Sequence, residues 1–89
     1  MSKIIKVIRL TNNQILISEI EEVGADIGEP DCRLIRPFEV AEYENKYTLS
    51  PFLLKLSRQD EFMMSSDKIL TLADPMPTLL EKYEEMTKE

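Results

Sequence analysis

The sequence contains no histidine and no tryptophan, and its only cysteine is Cys32. Without histidine, catalysis by an imidazole base and zinc binding by mixed cysteine and histidine ligands are excluded. A single cysteine cannot form an intrachain disulfide, which favours a reducing compartment. We expect Cys32 to be buried as a small apolar side chain, because no histidine is present to activate it as a nucleophile.

Long apolar runs are also absent. No stretch approaches the roughly 20 apolar residues of a membrane-spanning helix. The first ten residues are interrupted by Lys3, Lys6 and Arg9, which is unlike the apolar region of a signal peptide. We therefore expect a cytoplasmic protein.

The chain is short and acidic. Its 89 residues carry 17 acidic and 11 basic side chains, for a formal charge of −6. A chain of this length is expected to form one domain, residues 1–89, with a modest core that gains from partner subunits. The acidic balance disfavours non-specific binding to nucleic acid backbones.

Apolar residues alternate with a strand-like period over most of the chain. Two β-branched runs flank Asn12 and Asn13, which predicts a β-hairpin with a two-residue turn. Both strands are apolar on both faces, as is typical of strands covered by a core on one side and by a helix or another subunit on the other. A loop with the breakers Gly24, Gly28 and Pro30 follows.

Further strands are predicted in the middle of the chain. The segment CRLIRPFEVAEYE places Leu34, Phe38 and Val40 in phase, and Pro37 marks an edge, a bulge or a bend. After a second polar turn, ENK, the segment YTLSPFLLKLS is interrupted by Pro51 and predicts a bent strand or a loop lying on the sheet.

Two apolar runs, RQDEFMMSS and DKILTLAD, predict the last two strands. We expect them to form a tight hairpin that turns at about Ser66–Asp67. After Pro75 the period becomes helical, which predicts an amphipathic helix from about Pro77 to Lys88. Thr78 and Glu81 have the spacing of a capping box. The apolar stripe of this helix consists of Leu79, Leu80, Tyr83 and Met86.

These elements predict a mainly β protein. We expect a small, strongly bent antiparallel barrel of five or six strands within about residues 3–73, followed by the short C-terminal helix. A barrel that is not fully closed leaves strand edges exposed, and such edges often pair with a neighbouring subunit. We therefore expect an oligomer.

Two segments resemble the motifs of the Sm-like (LSm) family. KVIRLTNNQILISEIEEV is similar to the first Sm motif, and EFMMSSDKILTL is similar to the second. With its acidic balance and C-terminal helix, the chain most resembles small Sm-like proteins of cyanophage origin. The resemblance spans about residues 3–73, and for a phage-encoded chain the compartment would be the host cytoplasm.

The resemblance implies a homo-oligomeric ring of roughly five to eight subunits, closed by edge-strand pairing. The last strand of one subunit would pair with the penultimate strand of the next. The implied interface residues lie in these two strands: Phe62, Met63, Met64, Ile69, Leu70 and Leu72.

The family also binds single-stranded RNA, and several members act in RNA processing or regulation. The candidate RNA-binding residues here are Arg33, Arg36, Ser66 and Lys68. The chain departs from the family at two places, because EEVGADIGEPD replaces the Asp-x-x-Met-Asn motif and Ser65-Ser66-Asp67 replaces a basic Arg-Gly. Two functions therefore stay open: an RNA-binding ring, or an oligomeric scaffold or protein-interaction module without an RNA site.

No residue constellation predicts an enzyme. The adjacent carboxylates Glu21–Glu22, Asp60–Glu61 and Glu84–Glu85 are expected on solvated faces, whereas acid–base catalysis needs two carboxyl groups held in one cleft. The sequence predicts no metal site and no cofactor. The expected partners are further copies of the chain, with single-stranded RNA or another protein as the open alternatives.

Overall fold

A computed structural model of the protein describes residues 4–53, 56–57 and 59–87. Within these residues it contains six strands, one 3-10 turn and one α-helix. Lys3 and Lys88, at the outer bounds of the predicted strands and helix, lie outside the described residues. In chain order the elements are β1 (Ile5–Leu10), β2 (Ile15–Glu22), β3 (Cys32–Tyr43), β4 (Lys46–Pro51), β5 (Glu61–Met64), the 3-10 turn (Ser66–Lys68), β6 (Ile69–Ala73) and α1 (Pro77–Thr87).

The two predicted polar turns are both present. Between β1 and β2 the Asn13 amide donates to the Leu10 carbonyl, and the Leu10 amide donates to the Gln14 carbonyl. The loop therefore has three residues rather than the predicted two, and Asn13, with φ of 69°, takes the left-handed position that closes it. Asparagine is one of the few residues that accept this conformation readily.

All six strands form one antiparallel sheet. The order is β4-β3-β2-β1-β6, and β5 also pairs with β3. Strand β3 is long enough to pair with β4 through residues 38–43 and with β5 through residues 32–35. The prediction of a mainly β protein with five or six strands and a C-terminal helix is confirmed.

The predicted hairpin between the last two strands is wrong. β5 pairs with β3 and β6 pairs with β1, so these consecutive strands lie on opposite edges of the sheet. The strongly bent barrel is not observed either. No pairing among the described strands joins β6 to β4 or β5, and the sheet is neither closed nor strongly curled.

One extra residue in β3 changes which face its side chains occupy. Ile17 and Glu19 of β2 oppose Phe38 and Ile35 of β3, so β3 has one residue more than β2 between these pairs. Because side chains alternate along a strand, one extra residue moves everything beyond it to the other face. Leu34 therefore belongs to one core cluster and Phe38 to another. The prediction that they share a face is wrong, although Pro37 does mark a bulge.

Each face of the sheet has its own core. The first core lies on the face that carries no helix, and its buried residues are Ile8, Leu10, Leu16, Ile20, Cys32 and Leu34. The second core lies under α1, and its buried residues are Ile17, Phe38, Leu49 and Tyr83. The helix covers one face of the sheet, which explains in part why the strands are apolar on both faces.

Helix α1 starts two residues earlier than a capping box would require. It begins at Pro77, so Thr78 is inside the first turn rather than at the N-cap. Proline is well suited to the first helical position, since its missing amide has no partner there in any helix. No α-helix in the described part of the chain has the length and apolar character needed to span a membrane.

Candidate functional site

The last strand presents apolar side chains along an open edge. Among the described residues, β6 pairs only with β1. Ile69 packs against the first core, whereas Leu70 is 61% exposed and Leu72 is 49% exposed. Large apolar side chains on an unpaired edge strand are a typical site for pairing with another chain.

The opposite edge of the sheet is formed by β4 and β5, and β5 is also open there. β5 pairs with residues 32–35 of β3 and with no other described strand. Phe62 contacts the Phe52 ring edge-on at 5.5 Å between centroids, and Met64 packs against the first core. Met63 points away from this core and is 50% exposed.

Asp31 is hydrogen-bonded to the 3-10 turn that connects β5 to β6. Its carboxylate accepts hydrogen bonds of 2.7 Å from the Ser66 amide and of 2.7 Å from the Ser66 hydroxyl. These bonds stabilise the ionised carboxylate and lower the pKa of Asp31 below its ordinary value. At the other end of the turn, the Thr11 amide donates to the Lys68 carbonyl. The turn is thereby attached to the starts of both β3 and the β1–β2 loop.

A groove of about 670 Å³ runs beside β6 on the face without the helix. Its apolar wall includes Ile4, which is 57% exposed, and Cys32. Its polar rim consists of Lys6, Glu21, Glu22 and Ser66. Burial raises the pKa of the Cys32 thiol, so the thiol is not activated, as expected for a packing residue.

The predicted RNA-binding residues Arg33, Arg36, Ser66 and Lys68 have different local surroundings. The Arg33 guanidinium forms an ion pair with Glu21 at 2.8 Å and approaches Glu61 at 4.0 Å. Ser66 is engaged by Asp31, and Lys68 is exposed in the 3-10 turn. Arg36 occupies the β3 bulge with φ of 51°. Two of the four predicted residues are therefore bound to carboxylates.

The six predicted interface residues divide into two groups. Phe62, Met64 and Ile69 are half-buried and serve the packing of the chain itself. Met63, Leu70 and Leu72 are exposed and remain candidates for contact with another copy. Sequence reasoning missed Ile4 and Asp31. The only signal for Ile4 was its place at the start of an apolar run, and none marked Asp31.

The described residues contain no group of three or more cysteine, aspartate or glutamate side chains placed to hold a metal ion. Every buried side-chain nitrogen or oxygen among them has a hydrogen-bond partner. No orphaned polar group in this part of the chain therefore points to a ligand.

The fold and its edges define a small antiparallel β-sheet protein with β6 at one edge, β4 and β5 at the other, and one helix packed on a face. The chain belongs to a family of unknown function (DUF6561), whose model matches residues 3–88. No curated protein matches it in sequence. The family assignment does not identify an Sm protein, so the Sm-like resemblance stays a hypothesis.

Proposed function

We propose that this protein is a self-assembling, Sm-like scaffold in which β6 of one copy pairs with β5 of the next. The observation that supports this proposal is the place of these strands in the sheet. Only residues 65–68 separate them along the chain, yet they form opposite edges. Each copy thus offers two different edges to two different neighbours.

Pairing of two different edges is a head-to-tail contact. Such a contact repeats from copy to copy and gives a ring if its rotation closes, or a filament if it does not. A closed ring leaves no edge of this kind exposed, which is the more soluble outcome. The Sm-like resemblance favours a ring of roughly five to eight subunits.

The open sheet agrees with this form of assembly. A barrel must close within one chain to satisfy its own edges, whereas an oligomer satisfies them with strands from neighbouring copies. The exposed side chains beside the edges, Met63, Leu70 and Leu72, would be buried by the same contact. Their burial would supply the apolar area that stabilises the pairing.

RNA binding by the assembled ring is the alternative function carried by the resemblance. The ion pairs of Arg33 and the engagement of Ser66 by Asp31 favour the scaffold over an RNA-binding site. The formal charge of −6 per copy acts in the same direction, since it is repeated in every subunit. A scaffold of this kind would bind a further protein partner.

The assembly proposal is tested by placing a charge on the β6 edge. Leu70→Glu should convert the oligomer to monomer, because pairing would bury an unpaired carboxylate. Leu72→Glu should do the same. Mass in solution, measured by light scattering after gel filtration, gives the result, and circular dichroism checks that the strands persist.

Ile27→Glu is the matched control. Ile27 is fully exposed on the β2–β3 loop, so this variant makes the same chemical change away from both edge strands. It should leave the oligomer intact. A wild-type protein that stays monomeric at high concentration would overturn the assembly proposal, and so would Leu70→Glu and Leu72→Glu variants that keep the wild-type mass.

A binding measurement on the same sample separates the scaffold from the RNA-binding ring. Fluorescent U-rich and A-rich RNA oligomers are titrated with the wild-type protein over a series of salt concentrations. We expect no saturable binding. Saturable binding that weakens with salt and is lost in Lys68→Glu would replace the scaffold proposal with the RNA-binding one.

A further inference from the structure

The backbone of β3 is strained at Arg36. This residue has φ of 51°, in the left-handed region, and it is followed by Pro37. A Cβ atom is disfavoured in that region, and the following proline restricts the backbone further. Strained residues of this kind persist only where their surroundings hold them in place.

Tyr83 of α1 supplies one of the restraints. Its hydroxyl donates to the Arg36 carbonyl at 2.9 Å and lies 3.2 Å from the Ile35 carbonyl. The same oxygen accepts the Glu19 amide of β2 at 3.2 Å. Tyr83 is 2% exposed, and its ring meets Phe38 edge-on at 5.8 Å between centroids. Burial raises the pKa of Tyr83, so the hydroxyl keeps the proton that it donates.

The other side of Arg36 is attached to the open edge. The Arg36 amide donates to the Asp60 carbonyl, directly before the first residue of β5. The adjacent pair, Ile35 and Glu61, is the first of the β3–β5 register. The strained Arg36 therefore hydrogen-bonds to α1 through its carbonyl and to the residue before β5 through its amide.

We propose that Tyr83 is a positioning residue for the assembly edge. By holding Arg36 in its left-handed conformation, Tyr83 orients the Arg36 amide toward the Asp60 carbonyl. This hydrogen bond then fixes the position of β5 against β3. The functional consequence rests on the proposed self-assembly: release of α1 weakens the pairing of β5 with the next copy. By linkage, assembly in turn stabilises the docking of α1.

The test begins with Tyr83→Phe, which keeps the ring against Phe38 and removes only the hydroxyl. Amide hydrogen exchange is measured residue by residue. The Arg36 amide and the amides that pair β3 with β5 should exchange about tenfold faster, the factor that corresponds to a hydrogen bond of ordinary strength. Amides that pair β1 with β2 should change much less. The dissociation constant of the oligomer should rise several-fold.

Thr87→Val is the matched control on the same helix. Its hydroxyl donates to the carbonyls of Tyr83 and Glu84, which both belong to α1, so neither bond reaches the sheet. This variant should leave β3–β5 exchange unchanged. A rescue variant completes the design. In an Arg36→Gly background, where glycine adopts a positive φ without strain, Tyr83→Phe should accelerate β3–β5 exchange by a smaller factor.

Equal acceleration of all strand pairs in Tyr83→Phe would overturn the proposal, because it would show a loss of overall stability alone. Unchanged β3–β5 exchange would overturn it as well. Exchange reports the coupling within one chain even if the wild-type protein is monomeric. A failure of self-assembly is therefore distinguished from a failure of the coupling between Tyr83 and β5.

Discussion

Asp31 shows how one side chain can organise the region between two sheet edges. It directly precedes β3 and receives two hydrogen bonds from Ser66 in the turn between β5 and β6. Its neighbour Cys32 is paired with Met64 at the end of β5. The carboxylate thus joins the start of β3 to the turn that carries the chain from β5 to β6 at the opposite edge.

The ionisation of Asp31 should make this turn sensitive to acid. Its pKa is lowered in the folded state by the Ser66 hydroxyl and amide. The stabilisation is therefore fully present above the ordinary aspartate pKa of about 4 and is lost as the pH falls through the lower folded value. A carboxyl-detected NMR titration should find Asp31 titrating below the ordinary aspartate value.

Ser66→Ala provides the control for this titration. It removes the hydroxyl, which is the largest cause of the lowered pKa, and leaves the amide in place. The Asp31 pKa should move upward toward its ordinary value in this variant. An Asp31 that titrates identically in the wild type and in Ser66→Ala would contradict the assigned role of the hydroxyl.

At the scale of elements, α1 completes one face of the sheet. Its residues Leu79 and Tyr83 cover the core formed by Ile17, Phe38 and Leu49. An isolated helix of this length is marginally stable in water, so its structure depends on this docking. The sheet depends on the helix in return, because without it the apolar residues of this face would be exposed.

Removal of α1 should therefore destabilise the whole protein. Deleting residues 77–89 takes away Tyr83, and loss of one buried aromatic side chain costs about 3–5 kcal/mol. For a chain of this size we expect Tm to fall by at least about 10 °C. Deletion of residues 88–89, which follow Thr87 in the sequence, is the control and should change Tm little. An unchanged Tm in the longer deletion would show that docking contributes no stability.

At the scale of the whole molecule, the proposed pairing of the two open edges would make stability depend on assembly. Anything that binds only the folded chain raises its apparent stability, and in the proposed assembly further copies of the chain would act in this way. The exposed apolar residues beside β6 would otherwise be a liability for disordered aggregation. Regular pairing into a ring would remove this liability.

The midpoint of thermal unfolding should accordingly increase with protein concentration. Over about a hundredfold range of concentration, Tm of the wild type should rise by several degrees. Leu70→Glu, which is designed to prevent the proposed pairing, should have a Tm that does not depend on concentration. A wild-type Tm that is constant over this range would argue against assembly coupled to folding.

Local patterns were sufficient for much of the fold. Alternating apolar residues predicted the strands, polar residues predicted the turns, and the helical spacing after Pro75 predicted α1. These predictions succeeded because side-chain periodicity and turn chemistry depend on residues that are adjacent along the chain. The open edge residues Met63, Leu70 and Leu72 were also among those predicted for an interface.

The partner of each strand was not contained in these local patterns. The sequence of β5 and β6 is typical of a hairpin, but each strand pairs with residues at least 26 positions away along the chain, the smallest separation being that of Ile35 and Glu61. The extra residue in β3 was visible only as Pro37, and its effect on Phe38 depends on the register with β2. The hydrogen bonds of Tyr83 to the bulge depend on where α1 docks. Strand order, register and docking are set by contacts between distant segments, so they follow from the packed molecule, whereas strands, turns and helix follow from short stretches of sequence.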